Sequence, residues 1–262
     1  MDQVIDAYSP KQIAERVKSS GIAKANLPAL QTLTLGALAG AFIAFGAMFY
    51  TVVITDSSLG FGPTRFLGGI AFSLGLVLVV VAGAELFTGN NLIVIAWAEK
   101  KISSKQLLRN WLLVYFANLI GSLGTALIMH LSGSLNSGGG AVAITAIQIA
   151  EHKVSLSIME SFFRGLLCNT LVCLAVWLCF SAHTVTGKIL AILWPISGFV
   201  ALGFEHSVAN MYLISVAIFQ GDTAITWLEF TQNLLPVTAG NIIGGSILVA
   251  LVYWLSYLHK KR

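Results

Sequence analysis

Gly83-Ala84-Glu85-Leu86-Phe87-Thr88-Gly89-Asn90 and Gly203-Phe204-Glu205-His206-Ser207-Val208-Ala209-Asn210 decide the fold. Gly, Glu and Asn stand at the same places in both stretches, from 83 to 203, an offset of 120 residues. Each stretch interrupts a long apolar run, Phe66 to Trp97 in the first case and Ile189 to Phe219 in the second. Runs of about 30 residues exceed the roughly 20 that cross a bilayer as one helix. A polar cluster inside such a run predicts a helix broken within the membrane. Broken backbone survives there only where it is buried in protein or lines a cavity.

Four further apolar runs flank these two: Leu30 to Ile54, Asn110 to Leu131, Val154 to Phe180 and Leu234 to Leu258. The fold class is therefore all-α membrane protein with six transmembrane helices, the second and fifth interrupted. A second match strengthens the duplication. Asn110, Leu112, Val114, Asn118, Ile120 and Gly121 recur as Asn233, Leu235, Val237, Asn241, Ile243 and Gly244, from 110 to 233, an offset of 123. Two matches at nearly one period indicate an internal repeat. Three spans per copy is an odd number, so the second copy enters the membrane from the opposite side. The result is an inverted repeat of 3+3 spans whose two breaks meet near the midplane.

Composition agrees. Charged residues make up 10% of the 262 and apolar residues 56%; mean hydropathy is +0.84. A soluble domain carries roughly 25% charge, so an ordinary soluble enzyme is excluded. Cys168, Cys173 and Cys179 form no CxxC pair, which argues against a disulfide framework or a metal site. No basic stripe interleaved with aromatics suggests nucleic acid, and no cofactor motif is present.

Lys and Arg set the orientation. Lys11, Arg16, Lys18, Lys24, Lys100, Lys101, Lys105, Arg109, Lys188, Lys260, Lys261 and Arg262 fall on the side of both termini. Arg65 and Lys153 fall on the other, and Arg164 lies within the fourth span. That bias places both termini in the cytoplasm. The expected organisation is a cytoplasmic arm over 1–29, a channel domain over 30–258 and a basic tail over 259–262. In the arm, Ser9-Pro10-Lys11-Gln12 has the form of a capping box. Ile13, Val17 and Ile22 then follow at near-helical spacing, predicting a short amphipathic helix on the membrane surface.

At the breaks, Glu85 and Glu205 have two readings: capping freed backbone N–H groups, which is expected of both, or touching a substrate. Asn90 and Asn210 close the two motifs. His206 is a packing residue or a proton-exchanging one, and its place inside a membrane break favours the second. Phe72, Leu76 and Phe199 on the flanks, with Leu86 and Phe87 in the first break, suit hydrophobic constrictions, which stop hydrated ions. Lys153 is an interfacial lysine or an attractor of anions. Glu160 and Arg164 form an i, i+4 pair.

GAELFTG (Gly83 to Gly89), GFEHSVANM (Gly203 to Met211), NTLVCLAVW (Asn169 to Trp177), NWLLVYFANLIG and NLLPVTAGNIIGG together resemble the formate/nitrite transporter family, across essentially all six helices. The resemblance implies an aquaporin-like protomer in a homopentamer, in a bacterial or archaeal cytoplasmic membrane. Its cargo would be small anions of weak acids: formate, nitrite or hydrosulfide, moving with protons. It implies His206 as the central proton-exchanging residue, with Thr88 as partner and Glu205 and Asn169 in support. Lys153 would attract the anion, and Phe72, Leu76, Leu86, Phe87 and Phe199 would form the slits. EHKV and NLLPVTAGNIIGG look closer to formate channels, FTGNN and FFRGLLCN to nitrite channels. A neutral-solute channel of aquaporin type would need Asn-Pro-Ala at both breaks, and the chain has no Asn-Pro.

Overall fold

The computed structural model describes residues 7–221 and 223–259. Lys260, Lys261 and Arg262, used above for orientation and as the basic tail, lie outside the described residues. The described chain is helical and has no strand beyond one isolated bridge, Ala7 to Ala182. Its helices are α1 (Pro10–Ala25), α2 (Ala29–Ile54), α3 (Phe61–Gly83), α4 (Gly89–Ala98), α5 (Ser104–Leu131), α6 (Ala141–Val154), α7 (Ile158–Ser181), α8 (Val185–Ala201), α9 (Ser207–Gln220) and α10 (Trp227–Tyr257). Five are long and apolar enough to cross a membrane: α2, α3, α5, α7 and α10. Helices α4, α8 and α9 are apolar and shorter.

Four helices start on a reciprocal cap written in the sequence as Ser/Thr-x-x-Gln/Glu. Ser9 with Gln12, Ser103 with Gln106, Ser157 with Glu160, and Thr226 with Glu229 each satisfy two orphan donors. The helices then pack in two matching sets. Helix α2 lies against α5 and α3, α7 lies against α10 and α8, and α3 and α8 pack together between the sets. Small residues set the closeness. A Cβ on Gly121 would stand 2.0 Å from the Ala37 carbonyl oxygen, and one on Gly244 would stand 2.1 Å from that of Leu166. Without a hydrophobic drive in lipid, such close backbone approach supplies the packing energy.

Two short helices add to what the sequence showed. The stretch between the third and fourth apolar runs, given no element above, holds a helix, Ala141–Val154. Val142, Ala143, Ala146 and Ala150 recur at three- and four-residue spacing and are buried. The apolar stripe of α1 is covered by protein and is not free to face lipid. Its Ile13, Ala14, Val17 and Ala25 are buried in a cluster with Ile93, Ala96, Leu107, Trp177 and Val249. Each buried Ile or Val there contributes about 1.5–3 kcal/mol.

Helices α1 and α6 are counterparts. Each precedes a long apolar helix, and each carries a lysine near its C-terminal end, Lys24 and Lys153. The repeat thus includes a leading short helix as well as the runs read from sequence.

Candidate functional site

Between α3 and α4, and again between α8 and α9, the chain leaves the helix. Gly83 (φ +90°) and Gly203 (φ +71°) take the left-handed turn at the two exits, a conformation that side-chain-bearing residues rarely adopt. The freed backbone then needs partners, since an unpaired polar group in hydrocarbon costs several kcal/mol. Two asparagines supply them. Asn118 Oδ1 accepts from the Phe87 N–H at 2.9 Å, and its Nδ2 donates to the Glu85 carbonyl (2.9 Å) and the Gly36 carbonyl (2.7 Å). Asn241 does the same for the Ser207 N–H (2.9 Å), the Glu205 carbonyl (3.0 Å) and the Gly165 carbonyl (2.7 Å). Only an amide offers both an acceptor and two donors at this reach.

The carboxylates are therefore not the backbone caps they were expected to be. Glu85 binds Lys24 Nζ at 2.6 Å and Asn90 Nδ2 at 2.7 Å. Asn90 also reaches Asn110 Oδ1 (3.0 Å), and Asn110 Nδ2 returns to the Lys24 carbonyl (3.1 Å). The second break repeats the ring: Lys153 Nζ to Glu205 at 2.8 Å, Asn210 to Glu205 at 2.6 Å, Asn210 to Asn233 at 2.8 Å, and Asn233 to the Lys153 carbonyl at 2.8 Å. A neutral amide suffices for an N–H. A buried carboxylate needs a cation, and here it has one.

His206 and Thr88 sit between these rings, 2% and 0% exposed. The His206 Nε2 lies 2.9 Å from Thr88 Oγ1, and its Nδ1 accepts the Ala209 N–H at 3.0 Å, capping α9. Because Nδ1 accepts, the neutral ring carries its proton on Nε2 and donates to Thr88. Asn169 supports the other side of Thr88, donating to its carbonyl at 3.2 Å.

Two cavities approach this pair. One, of about 400 Å³, is lined by Arg16, Lys24, Lys188, Glu85, Leu76 and Leu86, among others. The other, of about 380 Å³, is lined by Arg65, Lys153, Glu205, His206, Phe72 and Phe199, among others. Along α3, Arg65 and Phe72 face the second cavity while Leu76 and Gly83 face the first; along α8, Lys188 faces the first and Phe199 the second. The cavities thus lie end to end along the helices. Phe72 and Phe199 meet edge to face at 5.6 Å, and Phe199 stacks on His206 at 6.0 Å. Phe87 is on neither wall and packs instead on Tyr115 (4.9 Å) and Trp111 (6.3 Å). Near the mouth of the second cavity, His152 is pushed below its ordinary pKa by burial first and by Lys153 next.

Of the residues read from sequence, His206, Thr88, Glu205, Asn169, Glu85, Asn90, Asn210 and Lys153 come together around the breaks. Asn110, Asn118, Asn233 and Asn241 were legible as repeat markers but not as ring members and caps. Lys24 was read only for orientation. Its signal was its distance from Lys153, an offset of 129.

An apolar helical body with paired cavities and a polar centre is a membrane transport protein. The formate/nitrite transporter family model matches residues 11–255, and the chain belongs to that family, which is one of channels and transporters, not enzymes. It is 41% identical to the formate channel FocA of Escherichia coli (strain K12), over 99% of this chain and 98% of that one. Among solved structures it is similar to a pentameric formate channel with formate bound, at TM-score 0.82 and 41% identity, covering 88% of this chain and 98% of the other. An FNT family ion channel matches at TM-score 0.85 and 30% identity, covering 93% and 98%.

Proposed function

We propose that the chain is a homopentameric channel for small monovalent anions of weak acids, formate first, with nitrite and hydrosulfide as related cargo. It crosses a bacterial or archaeal cytoplasmic membrane six times, α3–α4 and α8–α9 each forming one interrupted crossing, with both termini in the cytoplasm. The Lys24 cavity then opens inward and the Lys153 cavity outward. The observation that carries the reading is the Thr88–His206 hydrogen bond, 2.9 Å long, with His206 on the wall of the Lys153 cavity and Leu86 and Gly89, on either side of Thr88 in sequence, on the wall of the Lys24 cavity.

A bare anion in the apolar slit is prohibitively costly, and neutralising it removes most of that cost. A carboxylic acid with pKa near 4 is protonated about a thousandth of the time at pH 7, so its neutral form costs about 4 kcal/mol. The centre lowers this barrier in two ways. The donor chain runs from Ala209 N–H to His206 Nδ1, then from Nε2–H to Thr88 Oγ1, which leaves the Thr88 hydroxyl hydrogen free for the anion. A second proton on the ring must sit on Nδ1, where it displaces the Ala209 N–H. Proton exchange at His206 is thereby tied to loosening the first turn of α9. Lys24 and Lys153, each bonded to a carboxylate, present ammonium donors at the two mouths.

The test is simultaneous recording of anion current and proton flux for wild type and His206→Asn in liposomes offered formate, nitrite, acetate or glycerol. Altered coupling of proton to anion in the variant supports the central role of His206. Unchanged flux of both refutes it, and glycerol passage without anion passage overturns the channel assignment.

A further inference from the structure

The lysines at the two mouths are already paired, Lys24 with Glu85 and Lys153 with Glu205. Among the described residues, Arg65 on the Lys153 cavity and Lys188 on the Lys24 cavity have no carboxylate within salt-bridge distance. They occupy corresponding places, near the starts of α3 and α8. Arg65 is the more constrained of the two. Its Nη1 donates to Tyr50 Oη at 3.1 Å, and its guanidinium carbon lies 5.5 Å from the centre of the Phe61 ring. Its Nη2 borders Gly203, where a Cβ would stand 3.1 Å away. Its Nε is enclosed and has no acceptor. The group is therefore a charged, planar donor held against the second break and short of acceptors.

We infer that the Arg65 guanidinium is the docking site for two-oxygen anions in the Lys153 cavity, holding them before the Phe72–Phe199 contact. This rests on the channel reading above and adds its entry site. A guanidinium matches two oxygens on one atom, as in formate or nitrite, in a way an ammonium does not. A one-atom anion such as hydrosulfide gains the charge but not the fork. Gly203 serves the site by leaving room beside Nη2. Asp56 lines the same cavity and opposes the attraction, but its carboxylate is exposed, where water and salt screen it.

The experiment is half-saturation of anion current in planar bilayers, with formate or hydrosulfide added to one face at a time. Arg65→Gln is expected to raise the half-saturating formate concentration about tenfold from the Lys153 face and to leave the Lys24 face unchanged. Lys188→Gln reverses that pattern. Arg65→Lys keeps attraction for both anions but loses the preference for formate over hydrosulfide, and it carries the test if Arg65→Gln fails to assemble. Asp56→Asn shifts half-saturation the other way from the Lys153 face. Unchanged values for Arg65→Gln, or equal rises from both faces, overturn the docking site while the channel reading stands. A wild type that passes no formate, nitrite or hydrosulfide overturns both.

Discussion

The first half of the chain ties its break with Lys24, Glu85, Asn90 and Asn110; the second ties its own with Lys153, Glu205, Asn210 and Asn233. Four bonds of one ring recur in the other, and Asn118 and Asn241 cap both breaks alike. The first ring alone adds a bond from Lys24 Nζ to Asn90 Oδ1 (3.1 Å), whereas Asn210 Oδ1 has no partner among the described residues. At the offset of 120 residues the correspondence fails at the centre. Leu86 stands where the second half has His206, and Val208 stands where the first has Thr88. Each half thus gives one member of the polar pair and one apolar residue. Frame and centre are separate pieces of design: the frame closes each break on itself, and the centre works only across the halves.

The largest expected effect tests whether the two rings are equally dry. The Lys153 side chain is 11% exposed against 29% for Lys24. Lys153→Met strands a buried carboxylate and is expected to cost about 3–5 kcal/mol in unfolding experiments on purified protein. Lys24→Met should cost clearly less, and equal losses would erase this difference between the rings. Next, Asn118→Ala and Asn241→Ala each remove three hydrogen bonds, at about 1 kcal/mol per bond. Their losses should agree to within about 1 kcal/mol, and a wide gap would break the symmetry of the caps.

A smaller effect separates the capping of His206 from its chemistry. Asn is a good N-cap and Leu is not, so His206→Leu should be about 1 kcal/mol less stable than His206→Asn. Both should disturb proton coupling, and stabilities in the opposite order would remove the Nδ1 cap from the account. The smallest concerns His152. Its pKa is depressed in the folded protein, so the unfolded chain binds the proton more readily. The associated stability is present above the unfolded value and declines as pH falls below it. His152→Gln should lack that acid-side decline in melting temperature, and an unchanged profile would show that His152 contributes none of it.

The breaks were legible because Gly, Glu and Asn interrupt apolar runs where little else is polar. The partners of the carboxylates were not legible, because Lys24 and Lys153 lie 61 and 52 residues from theirs. Helix α6 was missed because its stripe is mostly alanine over 14 residues, too short to read as a span. Phe87 was placed on a slit because it is a bulky apolar residue inside the first break and matches a slit position of the family it resembles. Outside a helix no period fixes the direction of a side chain, and the backbone there turns it toward Tyr115. The offset also drifts, from 129 in the leading helices to 120 at the breaks and 123 beyond. A match anchored on the breaks therefore does not reach α1.

Because each break is closed by its own ring and its own asparagine, the hydrogen bonds of those rings and asparagine caps do not involve the side chains at 86, 88, 206 and 208, although His206 still caps α9 and Leu86 and Val208 still pack in the core. Evolution has in effect a fixed socket with four exchangeable contacts. An asymmetric centre on a duplicated frame needs no new architecture, only different side chains at this handful of sites. The same economy leaves a route for altering what passes through without rebuilding the walls that contain it.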